Sequence, residues 1–275
     1  MLRIRYLRYI VRIALRVVVA GLAVTTVFVT PSQAHDFPHT PLHVGVRCQA
    51  DFQNNWDPNL ANSYAMCSNF IDTIRSTEWV DFYFNLHGAS VDFVSGNAAE
   101  TCNPCGGANS VDFFLIYTHG GVDPTQSRYA MWDFKTRAWS GTMRFGAVGQ
   151  QLKVFATYTC DTLQTSDGHF WDRMGPAFRG GVKVLLGAHD LLYDGQTQKG
   201  TEFASRMQDG EPIGQAWLEA VWYADNRNHP SASATGVDAN DCWNRLGMNL
   251  ESVQTTVPLR DGQIGYVCWE GWNGD

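Results

Sequence analysis

The chain has 275 residues, of which 44% are hydrophobic and 17% charged, and a formal net charge of −7. An acidic surface of this kind repels nucleic acid and anionic lipid, so both are excluded as expected partners. The length holds one large domain, or one domain with insertions.

Residues 1–34 have the layout of a secretory signal peptide. Arg3, Arg5, Arg8, Arg12 and Arg16 precede an apolar run over 17–29, and Ser32 and Ala34 put small residues where a signal peptidase reads. The run of 13 uncharged residues is short of the roughly 20 needed to cross a bilayer. Residues 35–275 are therefore expected as one exported domain, extracellular or periplasmic, with a Cys/Trp-rich C-terminal extension from about 236. Removal of five arginines and no acid leaves that part at −12. No second apolar stretch of spanning length follows, so no membrane partner is expected once the signal is removed.

From residue 35 to about 62 the chain is polar and turn-rich, with one strand candidate at 43–47. A helix is predicted over 65–75 and an alternating aromatic strand over 79–86, followed by a loop at 95–110. Three apolar runs follow at 112–118, 152–159 and 182–187. Unbroken apolar strands are buried on both faces, as in parallel sheets flanked by helices. The gaps between them, about 30 and about 20 residues, allow right-handed crossovers. The expected fold class is α/β, a three-layer sandwich with a mainly parallel sheet and disulfide-stapled loops. Residues 201–207 read as helical, Asp209 and Gly210 as an interruption, and Pro212 as the first turn of a helix with Ile213, Ala216, Trp217, Ala220, Val221 and Ala224 on one face. The composition of 226–236 predicts an exposed loop. The tail, with Cys242, Cys268, Trp243, Trp269 and Trp272, reads as a disulfide-held flap or edge element.

The cysteines are Cys48, Cys67, Cys102, Cys105, Cys160, Cys242 and Cys268, and an odd count leaves one thiol over. Six lie in turn-rich segments or near the chain ends and are disulfide candidates, with pairing left open. Cys102 and Cys105 could form a zinc half-site, a redox pair or a local disulfide. With no second CxxC and no HxxxH, the disulfide is favoured and no metal is expected. Cys160 alone follows a continuous apolar strand.

That strand, 152–159, ends in Cys160, and the strand at 112–118 ends in His119, Gly120 and Gly121. Ligands of parallel α/β sheets bind beyond the carboxyl ends of the strands. Neighbouring strands lie about 5 Å apart, so the thiol and imidazole could meet over a substrate. Gly120 and Gly121 let backbone approach a carbonyl, and the N–H groups at Gly120 and Cys160 are candidate oxyanion donors. Each residue also has a plainer reading, the histidine as a strand-ending turn and the cysteine as an inert buried thiol. His87, before Gly88, is a rival base. His169, and His189 with Asp190, could line the same crevice, and Asp190 and Asp194 could give a pocket for a basic side chain its negative charge. The tryptophans could stack on sugars or fill the core.

This arrangement resembles the caspase-like cysteine peptidases, the group of caspases, gingipains and legumains: an apolar strand ending in His-Gly and, about 40 residues later, an apolar strand ending in Cys. Over about residues 80–225 it is most similar to an uncharacterised secreted bacterial branch, on segments 168–171, 178–181, 184–187, 200–204 and 214–217. The resemblance implies a caspase-like fold, Cys160 as nucleophile, His119 as base or acid, and a peptide or protein substrate, with no cofactor. The residues around Cys160 depart from the caspase pattern, so aspartate specificity is not carried over. Asp161, directly after the cysteine, would raise the thiol pKa if it points inward. The function expected is a secreted thiol hydrolase, a cysteine endopeptidase with a Cys-His dyad and a pocket drawn from Asp161, His87, His189 and Asp190. The alternative is a catalytically inactive module of the same fold that binds peptide or glycan. Oligomeric state is left open.

Overall fold

A computed structural model describes residues 41–52, 59–76, 80–87, 108–130, 137–142 and 152–273. The signal peptide expected at 1–34, the Cys102/Cys105 loop and Gly88 lie outside the described residues. Three apolar pentapeptides form the centre of the main sheet: β3 (Phe113–Tyr117), β7 (Val154–Tyr158) and β8 (Val184–Ala188), each buried along its whole length. They run parallel, with β7 between the other two. β1 (Leu42–Cys48) and β2 (Val80–His87) continue the parallel set beyond β3. β9 (Pro230–Gly236) pairs antiparallel with β8, and β10 (Tyr266–Gly271) antiparallel with β9. The sheet is seven-stranded in the order β10-β9-β8-β7-β3-β1-β2.

Side chains alternate across a strand, so each central strand supplies both faces. On one face Phe113, Tyr117, Tyr158 and Leu186 pack with residues of α1 (Ser63–Ile74), α3 (Gln198–Gln208) and α4 (Ile213–Ala224), among them Phe70, Phe203 and Trp217. On the other, Phe114, Ile116, Phe155 and Leu185 meet Met174, Ala177 and Phe178 of α2 (Phe170–Phe178). The result is the expected three-layer α/β architecture. Each fully buried large apolar side chain contributes roughly 2 kcal/mol. Trp217 is buried without polar cost, because its Nε1–H donates to the Gly187 carbonyl at 2.9 Å.

Register at the amino ends of the central strands is fixed by Asp112. Its carboxylate accepts from the His43 N–H at 2.8 Å and pairs with Lys153 Nζ at 2.6 Å, while its own N–H donates to the His43 carbonyl at 2.8 Å. β1, β3 and β7 are thereby joined at the end opposite His119 and Cys160. A second, antiparallel sheet begins directly after His119, with β4 (Gly120–Asp123), β5 (Gln126–Ala130) and β6 (Arg137–Trp139) in that order.

The predicted loop over 226–236 is corrected: residues 230–236 are β9, buried throughout. Its small residues let the strand fit closely between β8, β10 and α4, and Ser233 Oγ finds a partner in the Cys268 carbonyl at 2.8 Å. Composition suggested a turn, but tertiary pairing decided for a strand. Pro212 stands at the N-cap of α4, one residue before the first turn. In the tail, β10 is the edge strand of the main sheet and is joined to α5 (Ala239–Leu246) by the Cys242–Cys268 disulfide. A second disulfide, Cys48–Cys67, joins β1 to α1. Both fit an oxidising compartment. Among the described residues no helix is long and apolar enough to cross a membrane.

Candidate functional site

The site is built by one register. Tyr117 of β3 pairs with Tyr158 of β7, and each strand runs on through one threonine, Thr118 or Thr159, to His119 or Cys160. Histidine and cysteine thus stand the same two residues beyond a paired position on adjacent parallel strands, whose spacing is about 4.8 Å. Both line one cleft of about 330 Å³, with Asn59, Leu60, Tyr117, Tyr158, Leu192, Tyr193 and Asp194 around them.

Gly120 is required for this approach. A Cβ there would come within 2.8 Å of the Thr159 Cβ and 2.9 Å of the Cys160 carbonyl oxygen. Only a residue without a side chain lets the chain turn out of β3 so close to the end of β7. The turn is fixed by two bonds to Ala130, whose N–H donates to the His119 carbonyl at 2.8 Å and whose carbonyl accepts from Thr118 Oγ1 at 2.5 Å. The His119 ring packs against Phe52, with centroids 4.9 Å apart.

Cys160 is the free cysteine among the described residues and is half-buried. Its sulfur faces the backbone of Leu192, whose N–H donates to it at 3.4 Å and whose carbonyl lies at 3.6 Å. Burial pushes the thiol pKa up; the Leu192 N–H opposes this, and the charges of Asp161 and Asp190 add to it. Asp161 occupies the left-handed region at φ 60°. Its own carboxyl is raised by burial and by Asp190, with Arg128 acting the other way.

The loop after β8 forms the far wall. Tyr193 is held by Asn228, whose side-chain oxygen accepts the Tyr193 N–H at 2.7 Å, and its carbonyl accepts the Tyr158 hydroxyl at 2.7 Å. Asp194 accepts the Tyr117 hydroxyl at 2.5 Å and the Asn62 N–H at 3.2 Å. Burial, the neighbouring Tyr158 and the Asp194 carboxylate keep Tyr117 a neutral phenol. Under the two rings lies Lys199 of α3, its Nζ 3.8 Å from the Tyr158 centroid and 5.2 Å from that of Tyr117. Burial lowers the pKa of this ammonium to about 7, against the opposing pull of Asp194 and Asp225.

His169, His189, Asp161 and Asp190 fall outside the lining of this cleft. His87 ends β2, and β1 and β3 stand between it and β7, so its backbone is about 14 Å from that of Cys160's strand. His189 bonds Asn273 at 2.8 Å, and His169 is an exposed residue beside Asp172 at 3.2 Å. Asp190 points to solvent, with 53% of its side chain exposed. Asp161 and Asp190 act on the thiol electrostatically without lining the cleft. Asp194 does line it. Sequence reasoning missed Tyr117 and Tyr158, although a Tyr-Thr pair precedes both His119 and Cys160 and could have marked them.

The family model for DUF6345, a domain of unknown function, matches residues 50–249. The chain belongs to the DUF6345 family. The match takes in both strand ends of the cleft and the loop that carries Asp194. No curated protein matches this DUF6345 chain. Among solved structures it is similar to caspase-1 from Spodoptera frugiperda, at 10% identity and a TM-score of 0.44, over 86% of this chain and 90% of that one.

Proposed function

We propose that this DUF6345 protein is an exported cysteine endopeptidase of caspase-like fold, with Cys160 as nucleophile and His119 as the group that moves the proton. The observation that carries this reading is the shared register of Tyr117 and Tyr158, which brings a free thiol and an imidazole to one cleft. The raised thiol implies a reaction that starts from S–H. The imidazole takes that proton as sulfur attacks the peptide carbonyl, and N–H groups at Gly120 and Cys160 hold the oxyanion. The tetrahedral adduct collapses to a thioester, and the imidazolium hands its proton to the leaving amine. Water, deprotonated by the same imidazole, then cleaves the thioester to acid and restores the thiol. The scheme uses no cofactor. Export is supported by the signal-like residues 1–34 and by two disulfides.

The second reading is a caspase-like module that binds peptide or glycan without turnover. What favours it is the acidic surround of the sulfur, since Asp161 and Asp190 both disfavour thiolate. Incubation with a peptide library followed by mass spectrometry of the products separates the two. Cleavage by the wild-type chain that disappears in Cys160→Ser and in His119→Ala supports the peptidase. Intact peptides, with Cys160 inert to electrophiles, leave the binding module.

A further inference from the structure

We propose that Asp194 makes this cleft select a cationic side chain, lysine or arginine, beside the bond that is cut. The inference rests on the peptidase reading and adds the substrate class. Asp194 is the one carboxylate among the described residues that line the cleft. It is fixed from two directions, by the Tyr117 hydroxyl at 2.5 Å and by the Asn62 N–H at 3.2 Å, one on each oxygen. Its backbone is pinned as well, since Asn62 Nδ2 donates to the Asp194 carbonyl at 2.8 Å. A carboxylate oxygen accepts more than one hydrogen bond, so each keeps capacity for an incoming N–H.

The aromatic walls hold Asp194 in place but do not themselves bind the cation. Tyr117 and Tyr158 are buried, with ring centroids 4.4 Å apart. The molecule already places one ammonium on these rings, that of Lys199, from the protein interior. Lys199 is buried and does not line the cleft. Its charge opposes a second cation only while it is protonated, and burial lowers its pKa to about 7. Above neutrality Asp194 therefore faces the cleft largely uncompensated. An acidic side chain at this position would meet a like charge in a partly desolvated site, and an apolar one would cover Asp194 without offsetting its charge.

The test uses the full chain at about pH 8, above the lysine's titration. Four peptidyl chloromethyl ketones that differ only in the terminal side chain, Lys, Arg, Leu or Glu, are compared by their rates of Cys160 modification. Each rate is divided by that of iodoacetamide, which has no side chain to be recognised. Lys and Arg reagents are expected to react about 30-fold faster than Leu, with Glu slowest. Asp194→Asn, whose amide oxygen can still accept from Tyr117, should cut the difference to about 3-fold. Equal rates for Lys and Leu in the wild-type chain overturn the specificity, as does selectivity that survives in Asp194→Asn. If no ketone outpaces iodoacetamide, the peptidase reading fails first and the specificity falls with it.

Discussion

The Asp161 N–H donates to the Asp190 carbonyl at 3.0 Å, and this bond holds Asp161 in the left-handed region directly after Cys160. The turn that presents the sulfur is thus tied to the loop after β8, and two carboxylates come with it. Asparagine tolerates this backbone conformation as well as aspartate does, so Asp161→Asn removes a charge without changing the turn. The thiol pKa should fall, and iodoacetamide should alkylate Cys160 about 3-fold faster at neutral pH. At acid pH, where Asp161 is protonated, the two proteins should react alike. A rate that drops at neutral pH would show that the carboxylate has another role.

Gly120→Ala tests the close approach between the end of β3 and Cys160. The added methyl would lie 2.8 Å from the Thr159 Cβ and 2.9 Å from the Cys160 oxygen, where backbone must move. A cost of about 1 to 3 kcal/mol is expected, seen as a lower denaturation midpoint with an unchanged slope. Any activity should fall further than stability, because a displacement of about 1 Å at reacting groups can cost about a hundredfold in rate. A variant as stable and as active as wild type would mean that the two segments are less tightly apposed.

Lys199 gives stability a pH dependence whose sign can be worked out. Its ammonium faces Tyr117, Tyr158, the Tyr193 carbonyl and the charges of Asp194 and Asp225, and its folded pKa of about 7 lies below the ordinary 10.5. Between those values the unfolded chain binds the extra proton, so stability rises with pH across the window and the burial penalty is full below it. Lys199→Met removes the term. Relative to that variant, the wild-type chain should gain on the order of 3 kcal/mol between about pH 6 and pH 10, measured by denaturant unfolding. A difference that stays constant with pH would contradict a depressed lysine.

The Cys242–Cys268 bridge closes a loop over 26 residues and fastens the edge strand β10 to α5. Replacing both cysteines by alanine should cost about 3 kcal/mol and lower the melting temperature by several degrees. Reductant should destabilise the wild-type chain and leave this pair's double variant less affected. The Cys48–Cys67 bridge keeps some sensitivity in both.

Apolar continuity is what made the centre of the fold legible. The runs at 112–118, 152–159 and 182–187 became β3, β7 and β8 because only a doubly covered parallel sheet buries such segments on both faces. The odd cysteine at a strand end pointed to Cys160 for the same reason. β9 was illegible because serine and proline favour turns and alanine is a weak strand former, and the small size of these residues matters only once neighbouring strands and helices are in place. Asp194 stood out by its charge alone, while the wall it belongs to, at 192–194, was hidden in a loop. Its position is set by Asn228 and Asn62, residues distant in sequence, and no local pattern reports such bonds. His87 and His119 look alike in sequence, each ending a strand before glycine. Strand order separates them, placing His87 at the far edge and His119 beside Cys160.

The most direct test of a nucleophilic Cys160 assisted by His119 is the rate at which a peptidyl acyloxymethyl ketone alkylates this cysteine, compared with its rate on free cysteine and on His119→Ala. A working dyad gives a wild-type rate at least about a hundredfold above both. Equal rates in all three would mean that the cleft holds an ordinary buried thiol and that the peptidase reading is wrong.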